Sequence, residues 1–201
     1  MKNHPFIHLI IYSCLIMSVS LQAQEHFADR YNVSYITMDN GLPHNFIDDI
    51  YKDTYGFLWI STAGGGLSRY DGYEFINFNT NAPHCKLKSN FIRNVYEDSF
   101  QRLWIVSEGG TDIIDLSTLQ SVVPAAPRGV LSRLINQPAH TVILDSQGCI
   151  WLQCNNALHR ITFNAKGDID TLSTLDLPEL SEPDLTLKDI DEDGKIWAGI
   201  N

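Results

Sequence analysis

Positive charge is scarce in this chain. Fourteen lysines and arginines stand against 24 aspartates and glutamates, a formal net charge of −10 over 201 residues. Such an acidic surface excludes nucleic acid and anionic membranes as partners, since a polyanion is held by basic groups. Cysteine is also rare, with four in all. Setting aside Cys14 near the N-terminus leaves Cys85, Cys149 and Cys154. Cys149 and Cys154 flank one strand at an odd offset, so their side chains point to opposite faces and do not bond each other. No disulfide framework is expected. The motifs of several chemistries are missing as well. The seven histidines show no His-Glu-x-x-His spacing for a metal, and there is no Gly-x-Ser-x-Gly nucleophile turn. Gly64-Gly65-Gly66 lacks the following Lys-Ser/Thr of a phosphate cradle and reads as a loop between strands.

What the chain does have is one phrase written four times. Asp53-Thr-Tyr-Gly-Phe-Leu-Trp59 recurs as Asp98-Ser-Phe-Gln-Arg-Leu-Trp104, Asp145-Ser-Gln-Gly-Cys-Ile-Trp151 and Asp191-Glu-Asp-Gly-Lys-Ile-Trp197. These four phrases hold every tryptophan, spaced 45, 47 and 46 residues apart. A fixed period of that length predicts an all-β fold, a β-propeller with about one four-stranded blade per period. Each phrase reads as a hairpin, with Asp and Gly (Gln101 in the second copy) supplying the turn. The apolar run after it, such as Phe57-Leu58-Trp59-Ile60, predicts a strand covered on both faces, with tryptophans as core between blades rather than sugar-stacking platforms. Paired apolar residues before each turn predict a first strand, at Phe46–Tyr51, Phe91–Tyr96 and Val142–Leu144. A third strand follows at Leu67–Tyr70, Ile113–Leu116 and Leu158–Ile161. In the first copy Asp71-Gly72 turns into a fourth, Tyr73–Phe78. The expected divisions are a segment at 24–40, blades at 41–84, 85–130 and 131–178, and half a blade at 179–201. The stretch from Tyr31 to Met38 is expected to be a lone strand that closes a ring. With half a blade at the end, the chain is expected to be the front of a longer protein.

Residues 1–23 have the layout of a secretory signal peptide. Lys2 and His4 precede an apolar run from Phe6 to Val19, and Leu21-Gln-Ala23 offers a cleavage site. The run is too short for a transmembrane helix, and Cys14 lacks the small neighbours of a lipid-anchor signal. Removal of this segment with its one lysine takes the net charge from −10 to −11. The mature chain, from Gln24, is expected to be exported to the periplasm and not itself to bind membrane.

The stretch from Gly41-Leu-Pro-His-Asn-Phe-Ile through Asp53 and Trp59 to Gly64-Gly-Gly-Leu-Ser-Arg-Tyr-Asp71 resembles the two-component regulator propeller repeat. The likeness runs from Tyr31 to Asn201, departing at Gln101 and at Asn155-Asn156, which replace glycines. The resemblance implies a periplasmic sensor region of two propellers and a β-sandwich, followed by a membrane helix, a histidine kinase, a receiver and a DNA-binding region. None of those later parts lies in this chain, so neither kinase nor DNA-binding activity is expected of it. Its implied partners are an oligosaccharide, the remainder of the same receptor and a second copy as a dimer. Two other readings are a stand-alone exported propeller that binds a protein or glycan, and a propeller hydrolase or lyase.

No catalytic residues, cofactor or metal are expected. Asp189-Ile-Asp-Glu-Asp-Gly194 matches half a calcium loop, but its twelfth position is Ile200 where a glutamate is needed, so it reads as an acidic hairpin. The turn phrase resembles the Asp-box of sialidases, displaced by one residue. A glycosidase needs two carboxylates, and nothing selects a pair among Asp48, Asp49, Glu97 and Glu108. In a propeller, the loops leading into first strands share a face with those between second and third strands. That face is expected to gather His44, Asn45, His84, Asn90, Glu108, Thr111, Asn155 and Asn156, types suited to hydrogen bonding with sugar hydroxyls.

Overall fold

The structure is a computed structural model that describes residues 33–126, 130–155, 157–177 and 185–200. The signal segment at 1–23 lies outside the described residues, as do Tyr31, Asn32 and Asn156. The chain divides into two units, residues 1–36 and 37–201. In the first, Val33 to Ile36 form no strand. The second is built of antiparallel sheets.

The first sheet runs in chain order β1 (Ile47–Lys52), β2 (Leu58–Thr62), β3 (Gly66–Tyr70) and β4 (Phe75–Phe78). The second holds β5 (Ile92–Glu97), β6 (Arg102–Ser107) and β7 (Gly110–Asp115). The third is β8 (Ala139–Leu144), β9 (Ile150–Cys154), β10 (Ala157–Phe163) and β11 (Ile169–Asp176). A pair, β12 (Leu185–Ile190) and β13 (Ile196–Ile200), follows. These are propeller blades, each a meander from its innermost strand outward. Two expectations need correction. In the second blade the fourth strand shrinks to a single bridge, Ile114 to Ser121, because Asp115 caps a tight turn through Ser117 and Thr118 rather than a hairpin. The expected lone strand from Tyr31 to Met38 is no strand over its described part. Met38–Asn40 winds instead into a 3-10 turn, held by a capping box between Thr37 and Asn40.

One element lay outside the strand pattern. The helix α1 (Val130–Leu134) leads into the third blade. Its buried Leu131 and Leu134 and the following Ile135 fall at helical spacing and face the core.

Each Asp-to-Trp phrase folds the same way. The N–H of Gly56, Gln101, Gly148 and Gly194 bonds the carbonyl of the turn's aspartate. One carboxylate oxygen accepts backbone N–H groups inside the turn, as Asp98 does from Phe100 and Arg102. The other accepts the indole N–H six residues on, at 2.8 Å for Asp53–Trp59, 2.9 Å for Asp98–Trp104, 2.8 Å for Asp145–Trp151 and 3.1 Å for Asp191–Trp197. The aspartate therefore ties the turn to the strand that follows it.

Three apolar clusters lie between successive blades. Trp59 packs with Phe78, Ile92, Val95 and Leu103 between the first and second. Trp104 packs with Val142, Ile150 and α1 between the second and third. Between the third and the last pair, Ile143 and Leu158 meet Leu187 and Ile190, with Trp151 half-buried beside them. The expectation of tryptophan as interblade core fails at Trp197, which is 58% exposed. No sheet covers its face among the described residues.

Candidate functional site

The innermost strands β1, β5, β8 and β12 stand side by side and line a cavity of about 610 Å³. Each of them is irregular at one position. Pairing with the neighbouring strand skips Asp48 in β1, Arg93 in β5, His140 in β8 and Lys188 in β12. Such a β-bulge leaves one residue unpaired and re-aims its side chain. All four bulged residues carry a titratable group and all four line the cavity. In the first three blades the bulge falls eleven residues ahead of the tryptophan; in the last it comes two residues later.

The residue after the bulge fastens one blade to the next. Asn94 donates to the carbonyl of Val142 at 2.9 Å and accepts from its N–H at 3.1 Å. Asp49 accepts the Val95 N–H at 3.3 Å and that of Ile50 at 2.9 Å. Burial raises the Asp49 carboxyl above its ordinary range, against the pull of those two N–H groups. Further along, Gln153 accepts the Leu187 N–H at 2.8 Å. The cavity wall is thus held rigidly by polar links between strands.

Charge is distributed unevenly around the cavity. Asp48 and Asp49 stand on β1, while Arg93, His140 and Lys188 come from the three following blades. Arg93 meets Glu108 at 3.5 Å, a pair whose side chains are 44% and 57% exposed. Burial holds the His140 imidazole below its usual range, and the nearby Arg93 charge pushes the same way. Tyr51, deeper in the wall, is pushed up to about 12, chiefly by burial.

Of the described residues expected from sequence to face a ligand, only Glu108 lines the cavity. His44 and Asn90 approach each other through the glycine loop between β2 and β3. The His44 Cβ lies 2.9 Å from where a side chain on Gly65 would begin, and the Asn90 carbonyl accepts from Gly64 and Gly66. His44 accepts the Phe46 N–H through Nδ1, and Asn45 accepts that of Met38. The Asn90 side chain accepts from Thr80. His84 is exposed. Thr111 is buried beneath Lys88, whose ammonium donates to the carbonyls of Thr111 and Ile135. Asn155 turns β9 into β10 at φ +50, a left-handed conformation that asparagine tolerates. Asn156 lies outside the described residues. Sequence reasoning missed Arg93, His140 and Lys188, because their types differ from blade to blade; the shared signal is their distance from the tryptophan. The described cysteines, Cys85, Cys149 and Cys154, are buried free thiols. Among the described residues no group of three or more His, Cys, Asp or Glu is placed to hold a metal ion, and no helix is long and apolar enough to cross a membrane.

Blades that stack through a tryptophan and turn their innermost strands onto one cavity define a β-propeller repeat protein. The family model of the two component regulator propeller matches residues 41–64 and 86–109, the front halves of the first two blades. No curated protein matches the chain. Among solved structures it is similar to the extracellular domain of a B. thetaiotaomicron protein described as a hybrid two component system, BT3049. The identity is 20% and the TM-score 0.60, over 83% of this chain and 29% of that one. It is also similar to virginiamycin B lyase from Staphylococcus aureus, at 15% identity and a TM-score of 0.52, over 78% and 49% of the two chains. A third is PorZ of Porphyromonas gingivalis, a surface component of its type-IX secretion system, at 13% identity and 0.52, over 82% and 22%. At these identities the likeness is one of fold. The chain spans less than a third of the two component system domain that it matches.

Proposed function

We propose that this chain is the ligand-sensing propeller region of an exported receptor of the two-component type, and that it binds an oligosaccharide in the cavity between its innermost strands. The observation that carries this reading is the recurrence of one bulge in four successive blades, each turning a polar side chain into the same space. A scaffold alone has no need of a titratable residue at the bulge of four successive strands facing one cavity. The match to the two component regulator propeller repeat supports the sensory role. The reading assigns no catalysis to this chain. Of the carboxylates at the cavity, Asp49 is engaged by two backbone N–H groups and Glu108 by Arg93, so no pair stands ready for glycoside hydrolysis.

The test is thermal shift and titration calorimetry of the whole chain against a panel of neutral and acidic oligosaccharides. Saturable binding that is lost on filling the cavity, as with Thr141→Trp, is the expected result. Turnover of any panel member, or binding unchanged by that substitution, would overturn it. Sequencing beyond codon 201 checks the receptor assignment separately: a continuing frame with a membrane helix and kinase is expected.

A further inference from the structure

Glu108 occupies a telling place. It sits in the turn between β6 and β7, and its carboxylate reaches across to the bulged Arg93 at 3.5 Å. That contact uses one corner of a guanidinium that has five N–H donors arranged to grip a carboxylate at two points. Both partners are exposed, so solvent screens the pair and leaves it readily exchanged. His140 stands on the neighbouring strand, close enough to feel the Arg93 charge, and Lys188 lies on the strand beyond. Three cationic or proton-accepting groups thus line one cavity, and Glu108 is the carboxylate that meets Arg93. Asp48 and Asp49 stand on β1, the strand that flanks β5 on its other side from β8, where Asp49 is held by the backbone.

We propose that this cavity is a carboxylate-binding site, in which an acidic ligand displaces Glu108 from Arg93 and is held by Arg93, His140 and Lys188. Glu108 is then an internal stand-in for the ligand, keeping Arg93 oriented while the site is empty. The proposal rests on the sensory reading only in taking the cavity as the ligand site, and it names the chemistry of that ligand. It also couples binding to protons. Burial, and then the charge of Arg93, shift the His140 imidazole toward its neutral form. A ligand carboxylate beside it favours the imidazolium, so binding takes up a proton. Glu108, Asp48, Asp49 and Lys188 complete the charges around it, and of these Glu108 is the one that moves. If binding raises the His140 pKa by one unit, affinity is about tenfold greater below that titration than above it.

The experiment is calorimetry of the whole chain with digalacturonic acid and with galactobiose, its uncharged counterpart, between pH 5.5 and 8. The acid is expected to bind at least about tenfold more tightly, and more tightly as pH falls. Arg93→Gln should weaken it severalfold with an unchanged melting temperature, and Lys188→Gln should weaken it as well. Glu108→Gln should tighten it severalfold, because the internal competitor is gone. His140→Gln should flatten the pH dependence and leave the affinity at pH 8. A simple structural role for Glu108 would give loss rather than gain. Equal binding of both disaccharides would overturn the proposal and leave the sensory reading standing. So would binding of the acid that ignores Arg93→Gln and Glu108→Gln, since the acid would then sit elsewhere. Failure of the acid to bind sinks the proposal too, and the wider panel decides the sensory reading on its own.

Discussion

A single aspartate in each blade does two jobs, and its surroundings decide how much that is worth. Asp98 is 3% exposed and accepts from the Trp104 indole, from two backbone N–H groups and from the Arg102 guanidinium at 2.7 Å. Arg102 is itself buried, with its Nη1 on the Gly167 carbonyl and its plane over Phe163. Asp98→Ala strands that cation without its partner, and the urea midpoint should report a loss of about 3–5 kcal/mol. Asp191 makes the same bond to Trp197, but at an exposed site. Asp191→Ala should leave the midpoint unchanged. A comparable loss at both positions would mean that the turn, rather than the buried pair, carries the stability. Gln101 offers the opposite case. It stands at φ +58 where the other three copies have glycine. The left-handed conformation costs a side chain about 1–2 kcal/mol, partly offset by the extra freedom glycine has when unfolded. Gln101→Gly should therefore raise the melting temperature modestly, although it gives up an exposed hydrogen bond from Tyr55. A lower melting temperature would show that this bond outweighs the strain.

At the scale of the element, the decisive feature is the bulge at the start of each innermost strand. Without it the strand would alternate regularly, and Arg93 and His140 would each occupy a paired position instead of an unpaired one aimed into the cavity. The next residue then reaches the neighbouring blade. Asn94→Ala removes both bonds to Val142, a residue with no exposed surface, and leaves its N–H and carbonyl unsatisfied. That should cost about 2 kcal/mol and speed exchange of the Val142 amide more than that of any amide in β2. Unaltered exchange at Val142 would show that apolar packing alone holds the two blades together. The strands themselves were legible in the sequence to within a few residues, because Asp, Gly and Trp recur at fixed distances. The bulges were not. A bulge shifts the alternation by one without a residue type of its own, and its occupants are Asp48, Arg93, His140 and Lys188, four chemistries at one place. The helix α1 escaped because its stripe, Leu131, Leu134 and Ile135, is too short to show a period. Of the residues expected to face a ligand, the loops offered many hydrogen-bonding types, whereas the cavity is walled mostly by strands.

Across the whole molecule, burial of the repeated tryptophan depends on the blade that comes next. Trp59 has no exposed surface, covered by β5, and Trp104 has none, covered by β8. Trp151 is only half-buried, meeting a sheet of two strands, and Trp197 is 58% exposed. Four copies of one Asp-to-Trp pattern thus have different fates, set by their neighbours rather than by the pattern itself, which is why the fourth could not be told from the first. The opposite side of the array shows a matching feature: Ile47 and Ile50 on β1 are 39% and 60% exposed, with Phe46 just before them at 74%. Among the described residues an apolar sheet face is left open at each side, and such a face is a surface on which other sheets dock. The chain is therefore expected to self-associate at micromolar concentration, with dynamic light scattering showing growth as concentration rises. Its fluorescence should contain one component quenched readily by acrylamide, from Trp197, beside a shielded remainder. Trp197→Glu should remove that component and suppress the scattering, with little change in the melt of the blades before it. If the substituted chain scatters as strongly as the parent, association runs through the β1 side instead, and Ile50→Glu becomes the change that abolishes it.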